Sequence, residues 1–453
     1  MPSAPVLFSL TFLFSLFVAA ARINCKHILM KLLLTALLVP AIVAPTIAQS
    51  TKTLQQADII IRHANVITMT DDKILPDQLV CINDNCISYL GPDNGLKDTK
   101  IKAEIVDATG QYLMPGMAEM HAHLPAPENL QNFFVMNLMA GITTVRSMRG
   151  KPEHLTLKAA TPYPKPYLSL GAPIITHKTD LTPAAAEQLV KEYQQAGYDF
   201  IKVIAIKDVE SFDNLMKFAL QYKMPVCGHT PGNIPPAHLL KSGFDCIEHL
   251  GSYVGAYRKG KDSLQHVLQL TKQHNVYNDV TLDWYQVYYH QQPQTQLAQR
   301  YGVSMMHDTV QRNWNTEYAE SRKQMPDSEI VKYREVQQIK LKVLKQLADI
   351  DAPILTGMDA EDPYMVPGFD IIEEMKLFKR AGLSNYQVLK AATITAAQYL
   401  KRDKEGTIAK GKHANLVLLA ANPLDDINAV SKVQAVVLAN TVYSTEKLKT
   451  YLN

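Results

Sequence analysis

Tyr198-Asp-Phe-Ile-Lys-Val-Ile-Ala205, Met224-Pro-Val-Cys-Gly-His229 and Phe244-Asp-Cys-Ile-Glu-His249 are three short apolar runs, each carrying a lysine or a histidine at or near its end. Patterns of helical period precede them, from Pro183 to Gly197, Val209 to Tyr222 and Ile234 to Gly243. Runs of this length bounded by turn residues read as buried strands, and apolar residues recurring at helical spacing read as helices packed on them. The chain alternates helix and strand. Such alternation predicts a parallel sheet with right-handed crossovers, since parallel neighbours cannot be joined by a tight turn.

The same rhythm extends outward on both sides. Upstream stand Leu113-Met-Pro-Gly-Met-Ala-Glu-Met-His-Ala-His-Leu124 and Gly141-Ile-Thr-Thr-Val-Arg146; downstream stand Tyr277 to Asp283, a helical pattern from Val331 to Ile350, and Ala352-Pro-Ile-Leu-Thr-Gly-Met-Asp359. About eight strand candidates fall between residues 112 and 360, the number that closes a (β/α)8 barrel of the TIM type. In that fold the active site lies over the C-terminal ends of the strands, where His229, His249 and Asp359 all stand. His121 and His123 are two apart on a strand, so both imidazoles point to one face and can reach one metal ion, giving a zinc-type site.

These motifs resemble those of the metal-dependent amidohydrolases, in the subgroup similar to imidazolonepropionase and the secreted prolidase-like enzymes. Leu113–Leu124 matches that family's first-strand motif, Gly141–Arg146 its second strand and Gly357-Met-Asp-Ala360 its eighth. Pro367 to Ala397 resembles its closing pair of helices, and Gly406-Thr-Ile-Ala-Lys-Gly-Lys-His-Ala-Asn-Leu-Val417 through Asn422-Pro-Leu424 resembles strands that return to a small β-domain. The organisation expected is α/β. A leader over 1–48 precedes a discontinuous β-sandwich domain, from 52–112 and 405–450, wrapped around a barrel over 113–404.

The resemblance implies that His121 and His123 hold a buried metal with Asp359 beside it, and that His229 and His249 hold a second. Lys202 matches a lysine that, in binuclear members, takes up carbon dioxide and bridges the ions as a carboxylated side chain. An ammonium cannot ligate, whereas a carbamate is an anionic oxygen ligand of the kind a divalent cation prefers. Two Zn2+ per chain are expected. They would activate a water whose proton Asp359 takes and later delivers to the leaving amine, hydrolysing a C–N bond. His177, after the third strand, is a candidate donor to the carbonyl oxygen by position only. Arg146 and Arg149, after the second strand, could hold a substrate carboxylate or equally pair with Glu119 or another acid. Tyr253, just past His249, is a further candidate substrate contact, with a packed loop tyrosine as the alternative.

Three residues depart from the family pattern. Glu119 stands where an aspartate is usual, Met358 replaces a small polar residue before Asp359, and Asn415 replaces an acid in the C-terminal strand. Competing functions are a mononuclear deaminase or cyclic-imide hydrolase, and a catalytically silent binding protein on the same fold. Deaminases of this kind carry a glutamate three residues after the fifth-strand histidine, where this chain has Gly232. Silent relatives usually lose ligands, and every ligand type is present here.

Residues 1–48 hold two apolar runs, Pro5 to Ala21 and Ile28 to Ala48, with Arg22, Lys26 and Lys31 and no acid. A stretch that begins Met30-Lys31 and ends Thr46-Ile-Ala48 before Gln49 reads as a signal peptide with a small-residue cleavage site, so either Met1 or Met30 could be the start. A membrane anchor is the rival reading, which Pro40 and Pro45 disfavour. An exported, periplasmic protein is expected, with no membrane span after processing. Losing three basic residues brings the formal charge from +3 to zero. With no basic patch and no Gly-rich phosphate loop, nucleic acid is not expected as a partner, and small molecules such as dipeptides, N-acyl amino acids or cyclic amides are.

Of five cysteines, Cys81 and Cys86 flank a turn-rich tetrapeptide where a cross-hairpin disulfide is possible, while Cys227 and Cys246 read as small buried hydrophobes. Residues 284 to 330 are polar and rich in Gln, Tyr and Met. They read as irregular chain lying over the site and shaping the substrate pocket.

Overall fold

The computed structural model describes residues 57–93 and 102–452, so the expected leader and the first residues of the β-domain lie outside it. Strands β1 (Ile59–Ile67), β2 (Ile74–Asn83), β3 (Cys86–Pro92), β4 (Glu104–Asp107) and β5 (Tyr112–Pro115) come first. Then β6 (Met117–Ala122), β7 (Ile142–Ser147), β8 (Tyr167–Leu170), β9 (Ile201–Val203), β10 (Val226–Gly228), β11 (Cys246–Glu248), β12 (Tyr277–Asp279) and β13 (Ile354–Leu355) alternate with helices. Finally β14 (Leu416–Leu419), β15 (Val433–Leu438) and β16 (Thr441–Ser444) return to the first group.

The helix Val209–Tyr222 shows how local signals fix these elements. Asp208 caps its start by accepting from Ser211 N at 2.8 Å, Lys223 ends it in a left-handed conformation, and Phe212, Leu215, Met216 and Ala219 form its buried face. The expected bounds are those observed.

The eight strands β6 to β13 are parallel and pair as β6-β7-β8 and β9-β10-β11-β12-β13. Bridges between Gly171 and Phe200 and between Ile175 and Val203 connect the first group to β9. At the other end, Met120 N donates to Thr356 O at 3.0 Å and Asp359 N to His121 O at 2.8 Å, tying β6 to β13 and the chain beyond it. Most of the apolar core lies between these strands and their helices.

The remaining strands form one hydrogen-bonded sheet, ordered β16-β15-β14-β5-β1-β2-β3, with β4 parallel to β1. Ile87 N donates to Lys412 O at 2.8 Å and Cys86 bridges to His413, so β3 returns to the chain leading into β14 and the sheet folds over a core of its own. Strand alternation divides its faces. Ile59, Ile61, Val80, Ile82, Leu416, Leu418, Ala435 and Val437 form a core of their own, whereas Val417, Leu419, Val436 and Leu438 join the main core.

Other expectations are corrected. The seventh strand stops at Asp279 and does not reach Asp283, because Leu282–Tyr288 is a helix whose Leu282 and Asp283 amides donate to Glu374 at 2.9 and 2.6 Å. The stretch read as irregular is largely helical, with Asp308–Gln324 and the start of Asp327–Asp349. Cys81 and Cys86 are free: the hairpin register sets Cys81 opposite Tyr89 and Cys86 opposite Asn83, not opposite each other. Cys227 and Cys246 face one another on β10 and β11 among buried apolar groups. Among the described residues, no helix is long and apolar enough to cross a membrane.

Candidate metal centre

His121, near the end of β6, is fully buried. Its Nδ1 meets Glu248 Oε2 at 2.9 Å, and its Nε2 faces Lys202 Nζ at 3.0 Å and Asp359 Oδ1 at 3.6 Å. His123 Nε2 lies 3.2 Å from the same Asp359 oxygen. One ligand atom from each of His121, His123 and Asp359 thus falls within 4.8 Å of the others. His249 Nε2 approaches the second Asp359 oxygen at 3.9 Å, and its ring centroid is 4.8 Å from those of both His121 and His229. The structure brings the six expected ligands together.

Their surroundings suit them to a cation. Burial, helped by Lys202, holds His121 well below the usual imidazole range; burial, then His229, does the same for His249, and burial brings His229 down to about 4. A neutral imidazole keeps the lone pair that a metal needs. Glu248 on Nδ1 aims the Nε2 lone pair of His121 into the centre, and Thr281 Oγ1, 2.6 Å from His249 Nδ1, orients that ring. Mixed nitrogen and carboxylate donors match a zinc-like divalent ion.

The backbone bends sharply at the same place. His249 (φ 64°) and Asp359 (φ 53°) are both left-handed, a conformation costly for residues with a Cβ and found where a site requires it. At Gly357 a Cβ would sit 2.5 Å from the Asp279 carboxylate and 2.6 Å from His121 Cβ, so only glycine lets the last strand pass the ligands.

Comparison with known proteins agrees with this geometry. The family model described as "Amidohydrolase family" matches residues 112–442. The chain belongs to the amidohydrolase family. An adenine deaminase of Rubrobacter xylanophilus is 26% identical over 174 residues, which cover 35% of this chain and 28% of that protein. A dihydroorotase of Caldicellulosiruptor saccharolyticus is 28% identical over 188 residues, 38% of this chain and 42% of the relative, so these matches span less than half of either curated protein. Among solved structures, a Xaa-Pro dipeptidase with bound methionine in the active site superposes with a TM-score of 0.64 at 18% identity, covering 85% of this chain and 99% of the other. Bottromycin amidohydrolase gives 0.67 at 19% identity over 86% and 88% of the two chains.

Within this amidohydrolase the candidate substrate residues fare differently from the ligands. Arg146 is fully buried and donates to Met120 O at 2.5 Å, Glu248 Oε1 at 2.9 Å and Asp279 Oδ2 at 3.1 Å. It braces the carboxylate behind His121 and has no surface to offer a substrate. Tyr253 is also buried, its hydroxyl 2.6 Å from Asn278 Oδ1 and 2.8 Å from Thr271 Oγ1. His177 is exposed in the loop after β8 and makes no hydrogen bond or ion pair with the ligands. Arg149 lies at the rim, donating to Glu361 at 2.9 Å, and Glu361 in turn lies 3.5 Å from His123 Nδ1.

The Glu119 carboxylate accepts from His121 N at 2.6 Å and Met358 N at 3.0 Å, and burial pushes its pKa to about 8. The Asn415 side chain donates to Glu405 at 2.8 Å, and its carbonyl accepts from Gly116 N at 2.8 Å. Sequence reading passed over Glu248 and Asp279, although Glu248 directly precedes a ligand. It also passed over a cavity of about 630 Å³ beside His229 and His249, walled by Trp284, Tyr285, Tyr289, Tyr333 and Lys340.

Proposed function

We propose that this protein is a metal-dependent hydrolase of C–N bonds in small molecules, acting on amide or peptide bonds from a binuclear centre at the mouth of a closed (β/α)8 barrel. The observation that carries the reading is the convergence of His121, His123 and Asp359 within 4.8 Å, with Lys202, His229 and His249 beside them. The names of the deaminase, dihydroorotase and dipeptidase relatives differ in substrate and agree with hydrolysis of a C–N bond. A deaminase is the weaker reading, because Gly232 puts no acid after His229.

In this reading His121 and His123 would hold one ion, with Asp359 beside it, and His229 and His249 would hold the other. Lys202 is 2% exposed and burial lowers its pKa, which favours the neutral amine; that amine would add carbon dioxide and lose a proton to give an anionic carbamate able to ligate. Divalent cations bound here supply Lewis-acid polarisation of the carbonyl and acidify the attacking water. Asp359 accepts that water's proton and returns it to the departing nitrogen. The bond from Asp359 N to His121 O fixes the backbone that carries the carboxylate, which limits its reorientation between the two transfers. The composition of residues 1–48 supports export as part of the same proposal.

Elemental analysis of purified, processed protein should return about two divalent ions per chain, zinc among them. Chelation should abolish hydrolysis of a panel of dipeptides and N-acyl amino acids, and zinc should restore it. One ion at saturation with Lys202 unmodified removes the bridged centre. Metal-loaded protein that cleaves no amide in the panel overturns the function.

A further inference from the structure

Lys340, on the helix Asp327–Asp349, is 3% exposed, yet among the described residues its ammonium makes no hydrogen bond and no ion pair. Its close contact is with the ring of Tyr285, whose centroid is 3.5 Å from Nζ. Burial pushes its pKa down to about 7 against the pull of Glu374 and Asp359. The ammonium opens on a cavity, where water is its acceptor, and a carboxylate that replaces that water makes a charge-assisted hydrogen bond. Lys340 lines the cavity of about 630 Å³ that also contains His229 and His249, a volume suited to a small ligand.

Four aromatic rings share that lining with Val254, Val336 and the carboxylates of Glu248 and Glu329. Trp284 begins it, with its ring centroid 5.4 Å from that of His249 and its Nε1 fixed by a 2.7 Å hydrogen bond to Asp362. Tyr289 follows, stacked on Tyr333 at 3.6 Å and packed against Tyr285 at 4.6 Å. A wall of aromatic rings inclined to one another therefore runs from the His249 ring towards the Lys340 ammonium. Arg258 and Lys332 also line the cavity but are exposed and remain hydrated, so they attract an anion without anchoring it.

We propose that Lys340 and this aromatic wall form the subsite for the leaving half of the substrate, an amino acid with a free carboxylate on Lys340 Nζ and an aromatic side chain against Trp284 and Tyr289. One ammonium matches a monoanion. A substrate of the N-acyl aromatic amino acid or Xaa-aromatic dipeptide class satisfies both features. The inference rests on the C–N hydrolase reading for its catalytic half only, since occupation of the subsite is a binding event.

Calorimetric titration of the metal-loaded protein with 3-phenylpropanoate and its neutral amide separates the two. Wild type should bind the acid about 10- to 100-fold tighter than the amide, the range for a charge-assisted hydrogen bond. Lys340→Met should bind both alike, and Trp284→Ala should weaken both together. Lys340→Gln, which keeps length and polarity, serves if the methionine variant does not fold. Equal binding of acid and amide by wild type, or an acid preference surviving loss of the Lys340 charge, overturns the subsite. Hydrolysis of N-acetyl-L-phenylalanine is scored separately: an acid preference that depends on Lys340 without turnover of any amide leaves the subsite standing and removes the hydrolase reading.

Discussion

The two halves of the ligand set are held in opposite ways. Around His121 every direction is fixed by charge: Glu248 grips Nδ1, Arg146 pairs with that carboxylate and with Asp279, and Glu119 holds the backbone amides of His121 and Met358. Around His229 and His249 little is fixed. The His229 ring makes no hydrogen bond among the described residues, and His249 has the neutral hydroxyl of Thr281. The first half sits in the core, where misplacement would leave charges without partners; the second faces the cavity. Rigidity belongs to the buried side and adaptability to the side that opens on the cavity.

The largest effect expected from breaking this contrast is at its buried side. Arg146→Met leaves Glu248 and Asp279 together without their counter-charge and should lower stability by about 3–5 kcal/mol, measured by urea unfolding. A loss under about 1 kcal/mol would show that the acids there are protonated and need no partner. Next comes the residue shared by both halves. Asp359→Asn should keep the fold and much of the metal yet reduce turnover by about 10² or more, and near-normal turnover would assign the proton transfers to another group. The smallest effect is on the open side. Thr281→Ala should weaken metal affinity by about 10-fold with little change in unfolding, and an effect as large as that of Arg146→Met would erase the asymmetry.

How much of this was legible in the sequence follows from what strand geometry encodes. The ligands are readable because strand ends and alternation determine both where a side chain emerges and which way it points. Arg146 and Tyr253 mislead for the complementary reason: proximity to a strand end does not say whether a side chain reaches into the mouth or back beneath it. Arg146 turns under the site towards Glu248 and Asp279, and Tyr253 turns into the core towards Asn278. The helix Asp308–Gln324 escapes detection because Tyr318 is its one fully buried residue, so no apolar stripe marks it. Lys340 escapes for the opposite reason. A lysine in a polar helix reads as solvated, and its burial depends on tyrosines some fifty residues earlier in the chain.

The sheet that joins the chain's two ends also bears on its synthesis. β14 pairs with β5 across about 300 intervening residues, so that edge of β5 has no partner until Leu416–Leu419 has been made. All eight strands from β6 to β13 emerge within that interval, while Met114 awaits Val417 and Leu113 awaits Leu418. An unpaired apolar edge in a growing chain invites association with other chains. The C-terminal strands therefore work as a latch, closing that edge only when the catalytic part is already complete.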